Sequence, residues 1–66
     1  MKNYISQKRI ERGLTQRQLA QMCNITYQSL QRYENGSVNP SIVIALHIAK
    51  ALDTTIDQLY QLDEND

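Results

Sequence analysis

The feature that most constrains this chain is its punctuation: Asn3, Thr15, Thr26, Ser41 and Thr55 each stand just ahead of a stretch with helical apolar spacing. The first N–H groups of a helix have no partner within it, and a short polar side chain at the start can accept from them. Thr15 with Gln18 and Thr55 with Gln58 add the spacing of a reciprocal capping box. The stops are equally legible. Gly13 follows the first stretch and Gly36 the third, and both can take the left-handed backbone that ends a helix. The run Asn35-Gly36-Ser37-Val38-Asn39-Pro40 is the one clear loop. These signals predict helices over 3–12, 15–23, 27–35, 41–52 and 55–61, with an acidic tail over 63–66. No alternating apolar pattern of useful length exists, so no sheet is expected in the monomer and the fold class is all-α.

At 66 residues there is room for one domain, 1–66, with a modest core and no separate catalytic or effector domain. Cys23 is the only cysteine, so no internal disulfide forms; the core must rest on helix packing, helped by a partner chain if one exists. No run of about 18 apolar residues occurs. The segment Met1 to Gln7 lacks the apolar centre of a secretory signal, which makes the cytoplasm the default location.

The formal net charge is zero, but its distribution is lopsided. Residues 1–35 hold Lys2, Lys8, Arg9, Arg12, Arg17 and Arg32 against Glu11 and Glu34. Residues 36–66 hold Lys50 against Asp53, Asp57, Asp63, Glu64 and Asp66. Such asymmetry is a hint of nucleic-acid binding at one end, although scattered solvated charge would give the same count.

Spacing in the second and third predicted helices sharpens the hint. Counted from Gln16, a small residue, Ala20, falls where two helices must cross closely. Asn24 falls where a tight turn needs a left-handed residue. Ile25, Leu30 and Tyr33 fall where the third helix must lock onto the second, and Leu19, Ala20 and Cys23 face inward. A helical wheel puts Ser29, Leu30 and Tyr33 on one side and Tyr27, Gln28, Gln31 and Arg32 on the other. That outer face is polar, aromatic and rich in donors.

The string Arg9, Gly13-Leu14-Thr15-Gln16, Leu19-Ala20, Tyr33-Glu34-Asn35-Gly36, Asn39-Pro40-Ser41 and Ile48-Ala49-Lys50-Ala51-Leu52 resembles the Cro/C1-type (XRE) helix-turn-helix family. The resemblance covers roughly residues 3–62 and departs at Asn24, where the family usually has Gly, and at Asp53-Thr54, where it often has Gly-Val. It implies a compact five-helix lambda-repressor-like domain whose third helix enters the major groove of double-stranded DNA. The base-contacting positions carried over are Thr26, Tyr27, Gln28, Gln31 and Arg32. Their chemistry agrees, since Gln can pair with adenine, Arg with guanine, and Thr or Tyr can touch a thymine methyl. For Gln28 and Gln31 the bland alternative is plain helix surface. Tyr27 and Gln31 could instead touch phosphate or sugar.

Gln16, at the start of the second helix, is the first phosphate candidate, where the resemblance also implies that it braces the recognition helix. Arg17, Asn35 and Lys2 are weaker candidates. The family pairs an Arg and a Glu at the positions of Arg9 and Glu34, and that Arg can also lean towards a phosphate; the alternative is two unrelated surface charges. Cys23 reads as a small core residue, without a second thiol for redox work. His47 stands alone, so no metal site is expected, nor any cofactor or small-molecule effector site. No nucleophile, base and orienter constellation is visible, and an enzyme is not expected.

The expected function is a sequence-specific DNA-binding transcriptional regulator, a repressor that binds a two-fold operator as a homodimer, weighed against two alternatives. One is an antitoxin-like module that uses the same fold to hold another protein. The other is a regulator that activates as well as represses through its acidic half. A homodimer is expected too. The apolar residues of the fourth helix spread over about 220°, twice what one core face requires. Ile44, Leu46, Tyr60 and Leu62 are the interface candidates, unless Tyr4 and the first helix cover Ile44 and Leu46 within one chain.

Overall fold

The computed structural model describes all 66 residues. In chain order they form β1 (Lys2–Asn3), α1 (Ile5–Glu11), α2 (Gln16–Met22), α3 (Tyr27–Asn35), α4 (Ile42–Ala51), α5 (Ile56–Leu59) and β2 (Tyr60–Gln61). The five predicted helices are all present, the first and last shorter than their punctuation suggested. Ile5, Leu19, Ala20, Cys23, Leu30, Ile48, Ala49, Leu52 and Leu59 form one buried cluster, so every helix sends at least one apolar residue into the same core. Burial pushes the Cys23 thiol up, which keeps it neutral and suits a core role.

Three of the five expected caps form. The Thr15 hydroxyl accepts from Gln18 N–H at 3.0 Å, while Gln18 Oε1 accepts from Thr15 N–H at 2.8 Å, closing the box. Thr26 accepts from Ser29 N–H at 3.0 Å and Ser41 from Ile44 N–H at 3.2 Å. Thr55 makes no such bond: Gln58 N–H donates to the Thr55 carbonyl at 3.2 Å instead, and Gln58 Oε1, the other half of the box, accepts from the Thr54 hydroxyl at 2.9 Å. Asn3 lies in β1 rather than at a helix start, and Tyr4 precedes α1 without a side-chain cap.

Every corner between successive helices is turned in the same way. Gly13, Asn24, Gly36 and Asp53 have φ of 70°, 54°, 81° and 53°. In each case the next N–H reaches back over five residues to a helical carbonyl: Leu14 to Arg9, Ile25 to Ala20, Ser37 to Arg32 and Thr54 to Ala49. This is the Schellman arrangement, which satisfies carbonyls that a helix end would otherwise strand. Asn24 therefore performs the turn for which the family usually uses Gly, and Asp53 does the same between α4 and α5.

The structure departs from the sequence reading in its small sheet. β1 and β2 pair antiparallel, with Lys2 opposite Gln61 and Asn3 opposite Tyr60. Tyr4 N–H continues the ladder to Leu59 O at 2.8 Å. Burying Ile5 and Leu59 in one core brings the two flanking extended segments side by side, and their unpaired backbone groups join. The acidic tail folds back over the same edge: Asp63 and Asp66 hold the Met1 amine at 3.1 and 2.8 Å. The contact lowers the Asp66 carboxyl, through its bond to that amine, and raises the amine. No helix is long and apolar enough to cross a membrane.

Candidate nucleic-acid interface

The outer face of α3 is fixed from behind. Leu30 is fully buried, and Tyr33 is half-buried against the core. Their spacing leaves Gln28, Gln31 and Arg32 exposed on the opposite side, with Thr26 at the start of the helix. Gln28 and Arg32 donate no side-chain hydrogen bond to the rest of the chain. Thr26 is occupied: its hydroxyl caps the helix and donates to Ser29 Oγ at 2.8 Å. Tyr27 and Gln31 meet each other, Gln31 Nε2–H donating to the Tyr27 hydroxyl at 2.8 Å. The Arg17 guanidinium lies 4.4 Å from the centroid of the Tyr27 ring, a cation–π contact that ties α2 to the same face.

Behind this face a charged bridge joins three helices. Glu34 accepts from Arg9 Nε at 2.8 Å, from Arg9 Nη2 at 3.3 Å and from Gln16 Nε2 at 3.0 Å. Arg9 Nη1 also donates to the Leu14 carbonyl at 2.8 Å, just past the left-handed Gly13. The two charged side chains are 12% and 6% exposed, so this pair lies inside the domain. Gln16 thus braces α3 through Glu34 and still has a free amide hydrogen and a carbonyl. Together with Ser6, Gln31, Glu34 and Asn35 it lines a shallow polar depression beside α3. Ser6 carried no signal in the sequence, because nothing local shows that α1 reaches this face. Asn35 closes the helix: its Oδ1 accepts from Ser37 N–H at 2.9 Å, leaving its amide hydrogens outward.

Lys2 is not brought to this face. It borders another depression with Leu62, Asp63, Glu64 and Asn65, amid the acidic tail. The interface candidates are likewise divided. Ile44 and Tyr60 are half-buried against the chain's own core. The Tyr60 hydroxyl is buried without a hydrogen-bond partner, and its pKa is pushed up to about 12, by burial first and by the nearby Tyr33 second. Leu46 and Leu62 are exposed, at 54% and 78%. Ile42 and Val43 are more exposed than Leu46, at 65% and 60%. The position of the core leaves this flank of α4 bare.

Residues 5–59 match the helix-turn-helix family HTH_3. The chain is 38% identical over 66 residues to an uncharacterized HTH-type transcriptional regulator of Methanothermobacter thermautotrophicus, covering 98% of this chain and 96% of that one. Among solved structures, it superposes on the amino-terminal DNA-binding domain of SinR from Bacillus subtilis with a TM-score of 0.78 at 25% identity, covering 94% of this chain and 90% of that one. A chain of a SinR protein/SinI protein complex gives a TM-score of 0.81 at 27% identity, with 92% of this chain and 65% of that one covered. The fold is that of lambda-repressor-like domains, and the family's members are regulators rather than enzymes. The chain belongs to the Cro/C1-type (XRE) helix-turn-helix family of DNA-binding transcriptional regulators.

Proposed function

We propose that the protein is a sequence-specific repressor that binds a two-fold operator as a homodimer, reading bases with α3. The observation that carries this is the pairing of Gln28 and Arg32: both stand exposed on the outer face of α3 with no partner in the chain, while the helix behind them is locked by buried Leu30 and by the Glu34 bridge. They have the donors that adenine and guanine accept in the major groove. Thr26 and Gln31 complete the base-reading set. Gln16, Arg17, Arg9 and Asn35 are the residues nearest the flanking phosphates in this reading, and Lys2 drops out of it. Such a protein works where the genome is, in the cytoplasm.

Replacing Gln28 or Arg32 by Ala is expected to cost about 1–3 kcal/mol on the operator and to relax choice at one base pair each. Gln16→Ala should instead weaken specific and non-specific duplexes alike. Selection from a random duplex pool supplies the operator, and titrations at several salt concentrations supply the affinities. Unchanged operator binding by both Gln28→Ala and Arg32→Ala would overturn the assignment of α3 as reader.

The homodimer is supported by the bare apolar flank of α4, where Ile42, Val43 and Leu46 are exposed, and by exposed Leu62 in the carboxy-terminal segment. One recognition helix reads only a few base pairs, whereas a two-fold pair reads half-sites about 34 Å apart. Sedimentation at tens of micromolar should give a species of twice the 7.7 kDa chain, and a clean monomer would exclude it. The same flank supports the second reading, an antitoxin-like module holding another protein, as does the likeness to a chain of the SinR protein/SinI protein complex. Steeply salt-dependent binding to short duplexes favours the regulator over a pure interaction module.

A further inference from the structure

Resting on α3 as the base-reading helix, we propose that Tyr27 is a positioning residue that decides what Gln31 reads: it holds the amide end of the Gln31 side chain, so that the carbonyl end faces the groove and selects a base carrying an amino group.

Three observations converge on this residue. Tyr27 opens α3, yet it is half-buried, unlike its neighbour Gln28. Its ring is clamped under the Arg17 guanidinium, 4.4 Å from the centroid, so an element other than its own helix fixes its direction. Its hydroxyl accepts one Nε2 hydrogen of Gln31, one helical turn on, at 2.8 Å. A free carboxamide on a helix surface can turn either end outward, offering donor or acceptor alike, and so discriminates poorly among bases. In this structure the amide end of Gln31 is the one held. One amide hydrogen is committed to Tyr27, while Oε1 accepts nothing within the chain.

The groove chemistry then follows from the base edges. The amino groups exposed in the major groove are adenine N6 and cytosine N4; guanine O6 and N7 and thymine O4 are acceptors and repel a carbonyl. Adenine satisfies Gln31 twice over, its N6 amino group donating to Oε1 and its N7 accepting the remaining amide hydrogen. Cytosine satisfies it once. Tyr27 therefore contributes to specificity without touching a base, and Arg17 contributes one step further back.

Tyr27→Phe tests this, because it keeps the ring and the Arg17 contact and removes only the hydroxyl. Duplexes are selected from a random pool by the parent, Tyr27→Phe, Gln31→Ala and the double variant, and each is then titrated against single-base variants of the parental site. In Tyr27→Phe the preference for adenine at one base pair is expected to fall by roughly tenfold, while the pairs read by Gln28 and Arg32 keep theirs. The double variant should lose no more discrimination than Gln31→Ala alone. Tyr27→Phe selecting the same bases with the same stringency would overturn the positioning role. Equal weakening on every duplex would overturn it too, by making Tyr27 a backbone contact. So would losses that add fully in the double variant. A parent that selects no sequence at all would instead fell the reading of α3 on which the role rests.

Discussion

Arg9→Ala is expected to lower the stability of the DNA-free protein by about 3–5 kcal/mol. The cause is what remains behind. Glu34 is only 6% exposed, and without Arg9 its carboxylate keeps a single bond, from Gln16. The same substitution removes the donor to the Leu14 carbonyl, which steadies the corner at Gly13. A core of this size rarely supplies more than about 3–5 kcal/mol in total, so most molecules should be unfolded at body temperature. Glu34→Ala should be similarly damaging, since it strands the guanidinium. Replacing both with apolar residues of matching shape, as in an Arg9→Met, Glu34→Leu double variant, should cost less than either single change, because no buried charge is left unpaired. Urea denaturation of the four proteins decides the matter, and an Arg9→Ala protein as stable as the parent would show that the bridge holds nothing together.

Leu30→Ala should cost about 2–5 kcal/mol by leaving a cavity beneath α3. Leu30 is fully buried in a cluster to which the other four helices also contribute, so no single movement closes the gap. Operator affinity should fall with the folded fraction even though Leu30 never approaches DNA. Thermal melts with and without operator separate the two effects: added operator should recover part of the lost melting temperature. A loss below about 1 kcal/mol would mean that the helices collapse onto the smaller side chain.

These two sites were legible in the sequence to different degrees, for a physical reason. Leu30 followed from local spacing, because helical periodicity alone assigns a residue to the inner face. Thr15, Thr26 and Ser41 were equally plain, since a cap acts within one turn. The Arg9 and Glu34 contact spans 25 residues and was suggested only by family resemblance. The β1–β2 pairing was missed because strands of two residues carry no alternation, and their partners stand at opposite ends of the chain. Thr55 departs from its spacing because the Gln58 N–H goes to the Thr55 carbonyl and the Gln58 side chain to Thr54, a competition between neighbours that spacing does not reveal. The outer face of α3 followed from the helical wheel, whereas the link from Arg17 through Tyr27 to Gln31 depends on how α2 crosses α3.

The pairing of the two ends has a topological consequence. With the Met1 amine 2.8 Å from the Asp66 side chain, residues 1 and 66 lie close together in space. Splicing the present ends through a short linker and reopening the chain in the exposed stretch 36–39 would leave every helix and the whole buried cluster intact. The order of the elements along the chain is thus separable from their arrangement in space. Met1 also borders the apolar groove formed by Ile42, Ile56 and Tyr60, so a linker laid across that seam would shield part of the bare flank of α4 while leaving α3 untouched.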